Sequence, residues 1–245
     1  MTAAWDLARA AAERAGVVFR EMRTVEDADL INEVIDVTWG GQHLDREVVR
    51  ALAVSGNVPI AAEADGRVIG FVLGWAGVDA GGLHVHSHML AAVPERRHVG
   101  VGTALKLAQR AQALDQGIHV IRWTFDPMVA RNAWFNFGKL GVVADRFERS
   151  FYGEMRDTLN IGERTDRFVV RWDLDREPGQ WSVPPGRVVA KVPIPAGYTA
   201  LPDDARLEAR EGFALAVEAA MGRGAIAATF LREPATYVFA REEEV

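Results

Sequence analysis

The sequence contains no cysteine. Disulfides, thiol nucleophiles and thiolate metal sites are therefore excluded. So is a covalent acyl-thiol intermediate on the protein. No apolar run approaches the length needed to span a bilayer, so no membrane partner is expected. The first ten residues carry Asp6 and Arg9 and no apolar core, so they do not read as a signal peptide. A cytoplasmic location is the expectation. A basic excess is also missing: 28 Lys and Arg stand against 34 Asp and Glu, a net charge of −6. That balance gives no support to a nucleic-acid partner, which usually meets a basic face.

What is present is ordinary for a globular chain, with 49% hydrophobic and 25% charged residues over 245 positions. That length can bury one large domain, or one domain and an extension. The stretch Leu90 to Lys106, LAAVPERRHVGVGTALK, organises the rest. An apolar run ends at Val93 and Pro94 breaks it. Val101, Ala104, Leu105, Ala108, Ala111 and Leu114 then recur at helical spacing, so one face can be buried. A strand, a tight turn and a helix with two glycines in its first turn are expected. Free N–H groups at a helix start, together with the helix dipole, favour an anion. Gly100 and Gly102 lack a Cβ, so a phosphate can approach the backbone. Arg97 adds a positive charge. The stretch reads as a diphosphate cradle formed by Arg97, His98, Val99, Gly100, Val101, Gly102 and Thr103. A dinucleotide-binding loop fits less well, because its third glycine falls at position 105, which is Leu.

Around this stretch the pattern predicts a helix over residues 2–16, a strand from Val17 to Arg23 and a helix from Thr24 to about Trp39. Thr24 caps that helix, with Asp27 in the place of the usual Glu. A further helix is expected from Asp45 to Val54. Val58 to Ala64 and Val68 to Val78 read as a hairpin around Asp65-Gly66-Arg67. Leu83 to Val93 is the strand feeding the glycine turn. Beyond the cradle helix come a strand from His119 to Phe125, a helix over 128–139, and strands from Val142 to Phe151 and from Arg167 to Leu174. A polar loop, 153–166, lies between the last two and is long enough to be functional. Residues 175–186 read as a linker. A strand, an Ala-rich helix (Asp203 to Met221) and a hairpin-like tail follow.

Arg-x-x-Gly-x-Gly between a strand and a helix, with the lead-in Val93-Pro94-Glu95, resembles the pyrophosphate-binding signature of the GNAT superfamily of acyl-CoA-dependent N-acyltransferases. The SHML, WTFDP, RNA and KLG segments, with FYG and TDR further on, resemble a bacterial GNAT subfamily over roughly residues 17–174. The resemblance implies an α/β fold with a mixed, mostly antiparallel sheet. Its parallel central strands splay apart, helices flank it, and a C-terminal β-α-β extension follows. It implies a GNAT-like domain over 1–174, a linker over 175–186 and an extension over 187–245. It implies acetyl-CoA or another acyl-CoA as co-substrate and a small-molecule amine as acceptor, an amino acid among the options. Succinyl is an alternative to acetyl. Transfer would be direct, in a ternary complex, by a monomer or homodimer. No resident metal is expected.

By the same resemblance Leu90, Ala91 and Ala92 face the pantetheine arm, and one N–H there polarises the thioester carbonyl. Where the family carries a general base on this strand, it lies eleven residues before the motif, which is His86. The strand holds His84, His86 and His88 at period two, all on one face. Three readings stand for this trio: solvated or hydrogen-bonded histidines, a metal site, or a catalytic base. A histidine suits the chemistry, because a base with pKa near 7 can take the proton that the attacking amine must lose. His88 is the second candidate. Many family members place a Tyr four residues before the Gly that ends the next helix, and it protonates the leaving thiolate. Here that position is Phe137. Asn132 and Asn136, at i and i+4, are candidates for holding pantetheine or sulfur, and Tyr152 is a candidate acid. A thiolate with a pKa near 8.5 can also leave unaided. The departure at Phe137 keeps a rival reading open, a non-catalytic CoA-binding or regulatory module. Asp126 reads as the cap of the helix that follows it.

Overall fold

The computed structural model describes residues 2–41, 43–96, 99–153, 164–179 and 181–241. The chain forms two compact units, one running to Ile121 and the other beginning at Arg122. The fold class is mixed α/β, mostly antiparallel with one parallel pair, and helices flank the strands.

The first unit holds α1 (Ala3–Ala15), β1 (Val18–Glu21), α2 (Val25–Thr38), α3 (Arg46–Val54), β2 (Ile60–Ala64), β3 (Arg67–Asp79), β4 (Gly82–Ala92) and α4 (Val101–Asp115). Its strands lie in the order β1-β2-β3-β4, and each neighbouring pair is antiparallel. The capping box of α2 forms as expected. Asp27 N–H donates to Thr24 Oγ1, and the Asp27 carboxylate accepts from the backbone N–H of Arg23 and of Thr24. This fixes the start of a helix whose Ile31, Val34 and Ile35 pack on Phe71 and Leu73 of β3 and Ala91 of β4. The other face of β3 meets α4: a Cβ on Gly70 would lie 3.2 Å from Val101, and one on Gly74 would lie 2.9 Å from Gln109. From Gly70 to Trp75, alternation along β3 therefore sends odd positions toward α2 and even positions toward α4. Truncating a core ring such as Phe71 to Ala would cost about 3–5 kcal/mol.

The second unit holds β5 (Val120–Phe125), which begins at the unit boundary, then α5 (Ala130–Ala133), β6 (Val143–Glu148), β7 (Arg167–Asp173), β8 (Val188–Pro193), α6 (Asp203–Met221), β9 (Ala225–Leu231) and β10 (Thr236–Arg241). Their order is β5-β7-β6-β9-β10-β8. β9 joins β6 through Ala144 and Ala227, so the final hairpin continues the same sheet. Phe168 sits among the rings of Phe125, Phe147, Phe213, Tyr237 and Phe239, and this aromatic cluster is the unit's core.

The helix expected over 128–139 differs from a regular helix. It begins at Ala130, and from Trp134 to Leu140 it is a π-helix. The wider turn lays the Trp134 indole over Gly138, where a Cβ would come within 2.4 Å of the ring. Nothing in the period of apolar residues signals such a turn.

Candidate functional site

β4 runs into a turn that ends at Gly100, whose φ of 101° lies in the left-handed region that favours glycine. The first bond of the α4 ladder runs from Ala104 N–H to the Gly100 carbonyl. The N–H groups of Val101, Gly102 and Thr103 therefore have no partner within the helix. The first turn of α4 carries no acidic residue to compete for them. This arrangement suits an anion such as the diphosphate of CoA. Val99 is exposed, Gly100, Gly102 and Thr103 are half-buried, and Val101 is buried toward β3. Arg97 and His98, the other two residues expected in the cradle, lie outside the described residues. Most of the polar loop 153–166 does as well.

Leu90, Ala91 and Ala92 form the end of β4, immediately before the turn. Ala91 is buried against α2, and Leu90 and Ala92 are half-buried. Upstream, His86 pairs across to Trp75 of β3, with ring centroids 5.2 Å apart. His88 also touches Trp75, at 4.9 Å, and lies 6.0 Å from His86. His84 is buried, and its Nδ1 lies 3.1 Å from the Gly82 carbonyl oxygen, which can only accept, so that nitrogen carries the proton. Among the described residues no group of three or more His, Asp or Glu converges as a metal-holding set.

Burial pushes the His86 imidazole below its ordinary pKa, and the neighbouring charges of His88, His84 and Lys106 push in the same direction. His88 is more exposed and is also lowered, by desolvation. Both rings are thus held neutral, as a proton acceptor requires. Lys106 on α4 is a feature that sequence reasoning missed. It sits on the side of its helix that also carries Gln109 and Arg110, with only 2% of its surface exposed. Its Nζ donates to Ser87 Oγ at 2.7 Å and to Gln109 Oε1 at 3.3 Å. Spacing carried no signal for it, because Lys106 falls on the side of α4 opposite the apolar positions 101, 104, 105 and 108.

The candidates for handling the thiolate belong to the second unit. Asn136 is 3% exposed, and its Oδ1 accepts from Trp123 Nε1 at 3.2 Å. Asn132 is half-buried one turn earlier. Phe137 is fully buried, with its ring against Phe125 at 6.2 Å and Tyr237 at 5.6 Å. The departure from tyrosine there is thus a core position filled by a core residue. Tyr152 is 43% exposed and shares a 2.9 Å hydrogen bond with Thr124. The Arg167 guanidinium lies 5.6 Å from the centre of its ring. Asp126 accepts from the backbone N–H of Met128, which closes a turn; it does not cap the helix as expected, because α5 starts at Ala130 with Val129 at its N-cap and no side-chain cap bond.

Residues 28–139 match the family model described as the acetyltransferase (GNAT) family. Among solved structures, the chain is similar to the ribosomal-protein-S18-alanine N-acetyltransferase of Escherichia coli. Identity is 12% over 69% of this chain and 97% of that one, with a TM-score of 0.51. It is also similar to Naa20 of Chaetomium thermophilum, solved in complex with a bisubstrate analogue. Here identity is 17% over 67% of this chain and 94% of that one, with a TM-score of 0.52. At these identities the likeness is one of fold. No curated protein matches the chain by sequence.

Proposed function

From the premise that this chain is a member of the GNAT superfamily, with acetyl-CoA as the family's co-substrate, we propose that it transfers an acyl group to the primary amine of a small molecule. An amino acid is the acceptor class put forward, with acetyl or succinyl as the acyl group. The observation that carries this reading is the course of β4. One strand presents His86 and His88 packed on Trp75, and the chain that follows it leads, eight residues after Ala92, to Gly100 and the free N–H groups at the start of α4.

In this reading the N–H groups of Val99 to Thr103, with Arg97 and His98, hold the diphosphate. A backbone N–H within Leu90 to Ala92 polarises the thioester carbonyl, stabilising the oxyanion more than the ground state. His86 takes a proton from the acceptor ammonium or from the amine as it attacks, and His88 is the alternative base. The carbon–nitrogen bond forms as the carbon–sulfur bond breaks. The thiolate then leaves protonated by Tyr152, or unaided while Asn136 or Asn132 hydrogen-bonds the sulfur. With no cysteine in the chain, transfer is direct.

The test is a screen of acetyl-CoA and succinyl-CoA against a panel of amines, read by thiol release. Initial-rate lines for the two substrates should intersect. Parallel lines with a trapped acyl-protein would overturn direct transfer. Phe137, where the family often has tyrosine, favours one second reading, a CoA-binding module without turnover. Tight CoA binding by calorimetry with no thiol release from any donor would select it.

A further inference from the structure

β3 and β4 do not pair in one continuous register. Leu73 pairs with Met89, but Gly74 pairs with Ser87, so His88 is an extra residue that β3 does not match. This is a β-bulge, and it changes the phase of β4. Downstream of it, Met89 and Ala91 pack on the α2 face. Upstream, Ser87 faces α4, where Lys106 meets it, and His86 faces Trp75 on the α2 side. With strict alternation from Met89, Ser87 would join Met89 in the apolar α2 face. His86 and His88 would then turn toward α4.

We infer that Lys106 and Ser87, with Gln109 over Gly74, form the pin that sets this phase, and that they act as positioning residues for His86. This inference rests on His86 being the base in the proposed transfer.

Three observations support the pin. The Lys106 ammonium is 2% exposed, so its hydrogen bonds are made inside the protein, and one of them ends on the residue next to the bulge. A register slip would withdraw Ser87 Oγ and break the shorter of the ammonium's two described bonds inside the protein, a costly loss. Gly74 accepts no side chain, since a Cβ there would lie 2.5 Å from the His86 carbonyl oxygen and 2.9 Å from the Gln109 amide. Gln109 thus closes over the one β3 position at which the phase changes. Finally, burial holds the Lys106 pKa well below that of a free lysine, as expected for a group enclosed between helix and sheet. The groups around His86 are His84 and His88 on its own strand, Trp75 on β3 and Lys106 on α4.

The experiment compares Ser87→Ala, Ser87→Thr, Lys106→Met and the Ser87→Ala/Lys106→Met double variant, each checked for folding by thermal melting. The His86 and His88 ring protons lie near the Trp75 indole, so their proton NMR signals carry its ring-current shift. They are assigned from His86→Gln and His88→Gln. Expected for Ser87→Ala and for Lys106→Met is loss of that shift together with a fall of about 10–100-fold in kcat/KM for the amine. KM for acyl-CoA should be unchanged. Ser87→Thr, which keeps the hydroxyl, should restore both readouts. The double variant should fall no further than the worse single, because each single already breaks the Lys106–Ser87 bond. Folded Ser87→Ala protein whose histidine signals stay in place would overturn the pin, whatever its melting temperature. If the wild-type chain transfers no acyl group to any amine, the functional reading fails, and the NMR signals still decide the pin.

Discussion

Arg210 of α6 and Asp126 at the end of β5 form a two-pronged ion pair, Nη1 to Oδ1 at 3.2 Å and Nη2 to Oδ2 at 2.9 Å. The guanidinium side chain is 2% exposed and also donates from Nε to the Tyr198 hydroxyl at 3.1 Å. Residues 84 apart in sequence are thereby joined through a buried charge. Removing Arg210 takes from Asp126 its nearest cation, leaving Arg167 at 3.9 Å. Arg210→Ala should destabilise the protein by about 3–5 kcal/mol, read as a lower denaturant midpoint. Asp126→Asn keeps an acceptor for the Met128 N–H and should cost less. A midpoint for Arg210→Ala equal to the wild type would show that α6 is held by other means.

The cradle predicts a second outcome. Gly102→Val places a side chain in the first turn of α4, where the diphosphate is proposed to bind. Calorimetry should show CoA affinity falling by at least about 10-fold, or 1.4 kcal/mol, with the fold retained. Unchanged affinity in a folded variant would move the diphosphate elsewhere.

The third concerns the base. His86→Gln should lower kcat/KM for the amine by about 10²–10⁴ with little effect on CoA affinity. Because burial and neighbouring charge lower the His86 pKa, the acid limb of the wild-type pH–rate profile should lie below the ordinary imidazole value of about 6.5. The limb reports loss of the neutral base, so activity falls as pH drops through it. In His86→Gln the limb should disappear. His84→Ala is the comparison, since that ring is committed to the Gly82 carbonyl. If His86→Gln keeps near-normal rates and the same limb, His88 is the next base to examine.

A fourth outcome concerns pH and stability. Arg149 bonds both Glu218 and Glu211 of α6, and Arg164 bonds Glu211 and Asp166. Hydrogen bonds from Arg149 and then Arg164 lower the Glu211 pKa to about 2. A depressed carboxylate pKa adds stability that is present above its unfolded value near 4.5 and is lost as pH falls toward 2. The thermal midpoint should therefore decline between those two values, and Glu211→Gln should flatten part of that decline. An identical pH dependence in the variant would assign the decline to other carboxylates. Lowered histidine pKa values act at higher pH, where protonation of the unfolded chain begins to cost stability below about 6.5.

By itself the sequence determined whatever depends on local chemistry and period. The α2 cap follows from Thr24 and Asp27, and the α4 start from Gly100 after Pro94. The β2–β3 hairpin follows from two apolar runs around Asp65-Gly66-Arg67, and the presence of three histidines on the strand before the cradle is read directly. These features need only neighbours in the chain, so spacing reveals them. Tertiary structure decided the rest. Period two predicted that the three histidines share a face, and the bulge at His88 decided which face of the sheet that is, because a one-residue slip reverses every side chain that follows. The stretch Trp134–Leu140 is a π-helix where an α-helix is expected, with the Trp134 indole over Gly138. The buried roles of Lys106 and Arg210 arise from Ser87 and Asp126, partners 19 and 84 positions away. Only the folded chain supplies the group that makes the burial of such a charge tolerable.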